Sequence, residues 1–496
     1  MASGESNSER ELGERNRRLR LENLEHRARL AQIERERQDE RKDWKGERER
    51  FEQKIKALES QLARALKTSA TSSKRPSSDI VKAPRKRRNS QRKIGGQPGH
   101  PLHERTPFKP AEINGGLFEH TLSCCPDCRG SLVFRPGVLT SVQQMDIQPM
   151  PVRIEEHRAA TYWCERCLKN HTAPLPPHIE KGGLCGPYLT TLIAYLKGAC
   201  HASFSTIWKY LSDVHKIEVS RGLLSKLVAK VSTALDGPYA ELLKLLPLQR
   251  ILNVDETGHP EKGRNCWTWC FRAELFMLFK IDASRGSKVL LEVLGREFDG
   301  TLGCDYFSAY RKYMKDFGVE LQFCLAHLIR DVKFLAKLPD AATKAYGERL
   351  LEGLRALFGV IHQRESLGAA AFRERLEAVR NWILYVAGSS IPDSREARNM
   401  AARFAKHGAS YFQFITTPGL EPTNNLAEQA IRFVVIDRLV TQGTRGEKGR
   451  RWCERIWTTL GTCALQATSS FDYLLEAIQT HFNNRPSPSL LSNNTS

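Results

Sequence analysis

Asp255, Asp305 and Glu428 are the residues through which this sequence most plainly offers chemistry. Asp255 sits in ILNVDETG, an apolar run that reads as a buried strand, and Asp305 ends a second short strand in DGTLGCDYFSAY. Glu428 falls in the first turns of a helix in PTNNLAEQAIRF, which Asn424 or Asn425 can cap. Carboxylates from two strands and a helix can converge at the edge of one mixed sheet, where their oxygens would hold two divalent ions. A formal charge of +20 favours a polyanionic partner without choosing between DNA, RNA and acidic lipid; beside such ions, a nucleic-acid phosphodiester is the natural substrate. Any one of these acids alone would mean little, since most Asp and Glu face solvent. It is their agreement in strand, strand and helix placement that singles them out.

The elements that must position them follow in order. ILNVDETG, NCWTWCFR and LFMLFKID are three strand-like runs with short turns between them, and the helix-like SKVLLEVLG follows. Strand TLGCD, helix FSAYRKYMKD, strand VELQFC and helix LAHLIRDVKFLAKL come next. A ribonuclease-H-like α/β fold has this order, with its first strand central and its fourth beside it, so Asp255 and Asp305 would lie on adjacent parallel strands. Residues 250–332 read as the first part of this catalytic domain, 333–415 as a helical insertion, and 416–482 as its C-terminal part. Residues 483–496 read as a disordered tail. Arg432 shares a helix face with Glu428. With Arg438 and Arg445 it offers charge to the strand being cut.

Upstream, residues 1–67 are charged and carry no proline. Leu19, Asn23, His26, Leu30 and Ile33 follow alternating steps of four and three, as do Trp44, Arg48, Phe51, Ile55, Leu58 and Leu62 after a slip of register. That spacing predicts a self-associating coiled coil with Asn23 as a register-setting polar residue, although charged seam positions also suit a single solvated helix. Residues 68–110 read as a flexible basic linker. In it Lys82, Arg85, Lys86, Arg87, Arg88, Arg92 and Lys93 are placed to lie along DNA phosphates, and a solubilising charge run is the plainer alternative. Residues 111–182 contain two C-x2-C pairs, Cys125 with Cys128 and Cys164 with Cys167. Four thiolates at this spacing predict one closed, structural Zn²⁺ site of the zinc-ribbon type. The remaining cysteines, Cys324 among them, read mostly as core residues. Residues 183–249 form a small helical bundle in which FSTIWKYLSDVHK, a turn and SRGLLSKLVAKVSTAL resemble a helix-turn-helix in outline. Two apolar helices joined by a turn also build any small bundle.

Composition narrows the setting. A chain of 496 residues with 41% hydrophobic content can bury more than one core. Thirteen cysteines at this length are no disulfide scaffold and suit a reducing compartment. The first twenty residues have no apolar stretch, and no run of about 18 apolar residues occurs, so neither a secretory signal nor a membrane span is expected. A cytoplasmic, nucleoid-associated protein is the expectation.

GGQPGH at 95–100, the CPDC knuckle, DET at 255–257, FDGTLGCDYFSAY at 298–310, CLAHLIRD at 324–331 and TNNLAEQAIRF at 423–433 occur in one order along the chain. In these motifs and their order the chain resembles the IS66 family of DDE transposases. The resemblance implies that Asp255, Asp305 and Glu428 are the metal-binding triad, holding two Mg²⁺ for which Mn²⁺ can substitute. It also implies that His327, in the family's C-x2-H motif, contacts the scissile phosphate or the leaving group; a satisfied core or surface histidine is the alternative. The implied reaction is metal-dependent cleavage at insertion-sequence ends and transfer of the freed 3′-hydroxyl to target DNA. Double-stranded DNA, a second copy of the chain and small companion proteins are the implied partners. Gln429 stands where the family usually carries an arginine after the glutamate, and PLHERT after GGQPGH is less basic than the family commonly shows. A catalytically inactive DNA-binding descendant and a structure-specific nuclease on the same fold are the rival readings.

Overall fold

The computed structural model describes residues 5–65, 109–113, 124, 127–131, 152–164, 166 and 169–491. The chain divides into two units. The smaller unit takes in Ala83–Ala173 and Ser212–Ile217, and its described part contains one antiparallel hairpin. Strand β1 (Thr161–Cys164) pairs with β2 (Lys169–Thr172), with Cys164 opposite Lys169. Of the predicted zinc set only the Cys128 side chain is described, and it is exposed. Cys125, Cys167 and the Cys164 side chain lie outside the described residues, as do Lys82, Arg85, Lys86, Arg87, Arg88, Arg92 and Lys93.

The larger unit begins with α1 (Glu5–Ala65), one unbroken helix of 61 residues. Its apolar positions Leu19, Leu30, Ile33, Trp44, Phe51, Ile55, Leu58 and Leu62 are exposed. Helices α2 (Pro177–Gly182), α3 (Pro187–Gly198), α4 (Phe204–His215), α5 (Arg221–Ala234) and α6 (Asp236–Leu245) follow along the chain. Ser220 caps α5 by accepting from Leu223 N at 3.1 Å. Leu224, Leu227, Val228 and Val231 are buried on its inner side, while Arg221, Ser225 and Lys226 are exposed. Among the described residues no helix is long and apolar enough to cross a membrane.

Five strands form the central sheet: β3 (Ile251–Glu261), β4 (Arg264–Arg272), β5 (Met277–Asp282), β6 (Thr301–Cys304) and β7 (Glu320–Phe323). Their order is β5-β4-β3-β6-β7, with the first three antiparallel and β6 and β7 parallel to β3. This is ribonuclease-H-type topology. A parallel pairing requires a crossover, and α7 (Ser287–Leu294) and α8 (Ser308–Phe317) provide the two crossovers. One face of the sheet carries the core, with Leu252, Val254, Trp269, Phe271 and Leu302 fully buried against helices that include Val289, Leu290 and Tyr310.

The edge strand β5 is covered by α14 (Glu447–Leu465) in an uncommon way. Side chains one turn apart on α14 accept its backbone N–H groups: Ile281 N donates to Glu454 Oε1 at 2.7 Å, Phe279 N to Thr458 Oγ1 at 3.0 Å and Met277 N to Thr462 Oγ1 at 3.3 Å. A helix thus satisfies donors that another strand would otherwise pair. After β7 comes α9 (Leu325–Leu335), then three insertion helices, α10 (Ala341–Ile361), α11 (Ala369–Gly388) and α12 (Arg395–His407). Helix α13 (Asn425–Thr441) returns the chain to the sheet, and α15 (Ser470–Phe482) follows α14.

The expected disordered tail is corrected through residue 491. Leu490 is buried, Tyr473 donates to Pro488 O at 2.8 Å, and Ser487 donates to Ala234 O at 2.7 Å. Prolines suggested a free segment, but Leu490 supplies an apolar anchor and side chains take up the extended backbone.

Gly303 of β6 faces Asn253 of β3 across the parallel pair. A Cβ there would come within 2.4 Å of Asn253 Nδ2, an atom already bonded to Asn424. Gly303→Ala is therefore expected to turn Asn253 away and lower stability by about 1–3 kcal/mol. Urea unfolding checks this; an unchanged midpoint would mean that the asparagine contact contributes nothing.

Candidate active site

Register brings the first two acids level. Asn253 pairs with Gly303 in the parallel β3–β6 ladder, so Asp255 and Asp305 each stand two residues further along. Both are partly exposed. One oxygen of each is fixed by backbone: Glu256 N donates to Asp255 Oδ1 at 2.9 Å, and Phe307 N donates to Asp305 Oδ1 at 2.8 Å. Strand alternation separates Asp255 from its neighbour. Glu256 turns to the core face, where Arg285 Nη2 and the Tyr310 hydroxyl donate to it at 2.7 and 2.6 Å. Arg285 lies over the Phe307 ring at 3.9 Å and the Trp267 ring at 4.5 Å.

The opposite face of β3 receives α13, which polar side chains attach at both ends. At its start, Asn253 Nδ2 donates to Asn424 Oδ1 at 3.0 Å, and Asn424 Nδ2 donates to Val254 O at 2.8 Å. Asn424 does hold the N-cap position, but its side chain makes no capping bond. The capping expectation is corrected: the amide is committed to β3 instead. Beyond mid-helix, Arg438 Nη1 donates to Thr257 Oγ1 at 3.0 Å and also to Gly258 O. Past the helix, Thr444 N donates to Pro260 O at 3.0 Å, and its hydroxyl lies 3.0 Å from His259 Nε2. Gly443 is required in that turn, since its φ is +86° and a Cβ would meet Pro260 O at 2.1 Å. Glu428 stands on the first turn of the helix so held.

Burial, then the charges of Glu256, Asp305 and Glu428, push the Asp255 carboxyl well above the usual range, against the lowering effect of the Glu256 N–H. Asp305 is raised to about 6, by burial first and then by Glu256, while the Phe307 N–H, His327 and Arg285 oppose the shift. His327, on the first turn of α9, has its Nδ1 3.6 Å from Glu428 Oε1. Both atoms are buried without a hydrogen-bond partner. Burial lowers the His327 pKa, with Asp305 acting in the opposite sense. Cys324, Asn253, Asn424 and Glu256 belong to this neighbourhood and were not among the sequence-derived site residues. For Cys324 the available signal was its C-x2-H spacing to His327. Cys324, His327 and Glu428 each offer a ligand atom, all within 4.8 Å of one another, which makes them a candidate metal-binding cluster.

The C-terminal basic residues fare differently from one another. Arg432 and Arg445 are exposed, whereas Arg438 is partly buried and bonded to β3. A further cation, Arg403 of α12, ties the helical insertion to this region. Its Nη1 donates to Asp331 Oδ2 on α9 at 2.8 Å, it bonds the Tyr411 hydroxyl, and it lies over the Tyr306 ring at 3.8 Å. Tyr306 is the residue after Asp305.

A mixed sheet of ribonuclease-H type, with acids gathered from two adjacent strands and an overlying helix, defines an acid-centred α/β domain. The model for the transposase IS66 family matches residues 182–451, more than half of the chain, and the protein belongs to that family. The matched span contains Asp255, Asp305, His327 and Glu428. A second model, for a family of unknown function (DUF6444), matches residues 7–106. A search of curated proteins found no match.

The raised Asp305 fixes a pH dependence. A carboxyl whose folded pKa exceeds its unfolded value contributes stability that is complete at low pH and lost as pH rises. For Asp305 the window runs from about 4 to about 6. Buried His259, lowered to about 4, works in the opposite sense as pH falls. The Asp305 contribution is therefore the difference between wild type and Asp305→Asn. Melting temperatures in chelator should show the wild type losing ground to the variant between pH 4 and 6. Parallel curves would contradict the raised pKa.

Proposed function

We propose that this chain is a DDE transposase, cleaving DNA at insertion-sequence ends and transferring the freed 3′-hydroxyl to target DNA. The observation carrying this reading is the register that sets Asp255 and Asp305 level on adjacent parallel strands, with Glu428 on the helix attached to β3, all within the region matched by the transposase family. Half-buried carboxylates gathered together call for a cation of high charge density, and an all-oxygen donor set suits Mg²⁺, with Mn²⁺ as substitute. Asp255, Asp305 and Glu428 would be the residues that hold two such ions. When bound, such ions supply Lewis-acid activation of the nucleophile and charge stabilisation at the leaving 3′ oxygen.

The chain's own residues would orient and screen. The backbone bonds to Asp255 and Asp305 would fix the carboxylates, and α13, attached to β3, would present Glu428 to them. His327 would contact the scissile phosphate or the leaving group. In the first reaction water breaks a phosphodiester and frees a 3′-hydroxyl; in the second that hydroxyl attacks target phosphorus in line and expels another 3′ oxygen. Neither reaction needs a covalent protein–DNA bond. Arg432, Arg438 and Arg445 would add positive charge near the cut strand, and the basic linker would run along phosphates elsewhere. The exposed Arg221, Ser225 and Lys226 of α5 suit DNA contact, and Cys125, Cys128, Cys164 and Cys167 would hold structural Zn²⁺. Work on DNA and reduced thiols fit a cytoplasmic, nucleoid-associated setting, in which small companion proteins of the same element could take part.

Two DNA ends must be held together, and the exposed apolar seam of α1 is the proposed contact between two copies. Ile55→Asp combined with Leu58→Asp should lower the molar mass measured by light scattering to that of one chain. A mass unchanged from wild type would remove α1 from that role.

The central test uses labelled DNA carrying the element's own ends, with Mg²⁺ or Mn²⁺ and candidate companion proteins. Wild type should nick at the end and join it to target. Asp255→Asn should lose about a thousandfold in rate, equivalent to about 4 kcal/mol, while retaining end binding. Cutting without joining would favour the nuclease reading. Tight end binding with neither reaction, under conditions where a related active enzyme works, would favour the inactive descendant.

A further inference from the structure

We propose that Cys324, His327 and Glu428 form a second metal site, selective for Zn²⁺ over Mg²⁺, which competes for Glu428 with the oxygen-ligand site. The competition rests on the proposed metal role of Glu428; the Zn²⁺ site itself does not. Nitrogen and oxygen ligands about 2.0–2.2 Å from a tetrahedral Zn²⁺ lie about 3.3–3.6 Å apart. His327 Nδ1 and Glu428 Oε1 are 3.6 Å apart, are both buried, and have no hydrogen bond. Direct hydrogen bonding would bring such atoms nearer 2.8 Å; sharing an ion would not. Cys324 Sγ completes a set whose ligand atoms lie within 4.8 Å of one another. Burial pushes its thiol up, against the N–H groups of Asn424 and His327, so Zn²⁺ would have to displace the thiol proton on binding. Cys324 occupies the N-cap position of α9, and Asn424 N, at the start of α13, donates to its sulfur at 3.2 Å.

The donors then decide the metal. A thiolate and an imidazole are poor ligands for Mg²⁺, whereas S, N and O together suit Zn²⁺ and leave a fourth position open. One residue opposes loading. Arg330 Nη1, a donor, lies 3.3 Å from His327 Nε2. Ligation through Nδ1 places a proton on Nε2, so the guanidinium must turn away. A metal-bound histidine is normally steadied by an acceptor at its second nitrogen. Arg330 therefore holds Zn²⁺ affinity down, and an acidic side chain at 330 would raise it.

The test uses the purified full-length chain, stripped by chelator and without DNA. Zn²⁺ is titrated against a chromogenic competitor in wild type, Cys324→Ser, His327→Gln and Arg330→Glu, with melting curves checking each fold. Wild type is expected to bind one more equivalent than either Cys324→Ser or His327→Gln, and Arg330→Glu to bind that equivalent at least about tenfold more tightly. Excess Mg²⁺ should not displace it. Equal stoichiometry in wild type and both ligand variants, or displacement by Mg²⁺, overturns the site. Mn²⁺ binding followed by electron paramagnetic resonance then tests competition. Loading the extra Zn²⁺ should weaken Mn²⁺ at least about tenfold, and unchanged Mn²⁺ affinity overturns it. Failure of Mn²⁺ to bind the Zn²⁺-free protein would instead count against the oxygen-ligand reading and leave the Zn²⁺ stoichiometry standing.

Discussion

Helix α13 lies along β3 because polar side chains buried between them satisfy one another, and the position of Glu428 follows from that attachment. Apolar packing alone would leave a helix free to slide or roll by part of a turn. The Asn253–Asn424 pair, the bond from Asn424 to Val254 O, and the bonds from Arg438 to Thr257 and Gly258 remove that freedom. Leaving any such buried group unpaired costs about 1–3 kcal/mol, so a shifted helix loses several interactions at once. The turn after α13, with Thr444 bonded to Pro260 and close to His259, extends the attachment past the helix end. A carboxylate on the first turn is thereby tied to backbone in the same strand as Asp255.

The same strand also resolves an electrostatic problem. Asp255 and Glu256 are adjacent in sequence, and two buried negative charges side by side would oppose folding. Alternation sends Glu256 to the core face, where Arg285 and Tyr310 hold its oxygens, and leaves Asp255 among the other acids. Glu256 still raises the pKa of both Asp255 and Asp305. Its neutralisation by Arg285 is therefore part of what makes the acid cluster tolerable. Arg285 also lowers the Asp305 pKa and lies over the Phe307 ring, so one cation serves both faces of the neighbourhood.

What could be read from sequence was the succession of elements. Alternating and continuous apolar runs announce strands, helical periodicity announces crossovers, and the order strand, strand, strand, helix, strand, helix, strand admits few sheets. That suffices to set Asp255 beside Asp305, because a parallel neighbour is implied by the intervening helix. The fixing of α13 was not legible. Asn424 looks like a cap, and nothing local reveals that Asn253, 171 residues earlier, takes its side chain. Gly303 looks like any strand glycine until the partner asparagine needs its missing Cβ for space. Arg438 looks like exposed charge for DNA, yet much of its bonding is to β3. Each case depends on a long-range partner, and periodicity carries no information about partners. The packed segment to residue 491 fails for a related reason: proline-rich composition suggests solvent, and one leucine reverses it.

The helical insertion bears on the site through one side chain. Arg403 on α12 is held between Asp331 of α9 and the Tyr306 and Tyr411 rings. Asp331 lies one turn beyond His327 on α9, and Tyr306 follows Asp305 directly. Displacing α12 would therefore pull on the backbone supporting Asp305 and on the helix carrying His327. Buried ion pairs add little net stability over apolar packing, but breaking one leaves a charge without compensation. Arg403 is consequently better understood as setting position than as adding stability: it commits the insertion to one location relative to two residues of the acid site. The insertion separates Glu428 from the other acids in sequence, and the same insertion, through Arg403, helps fix the ground on which they meet.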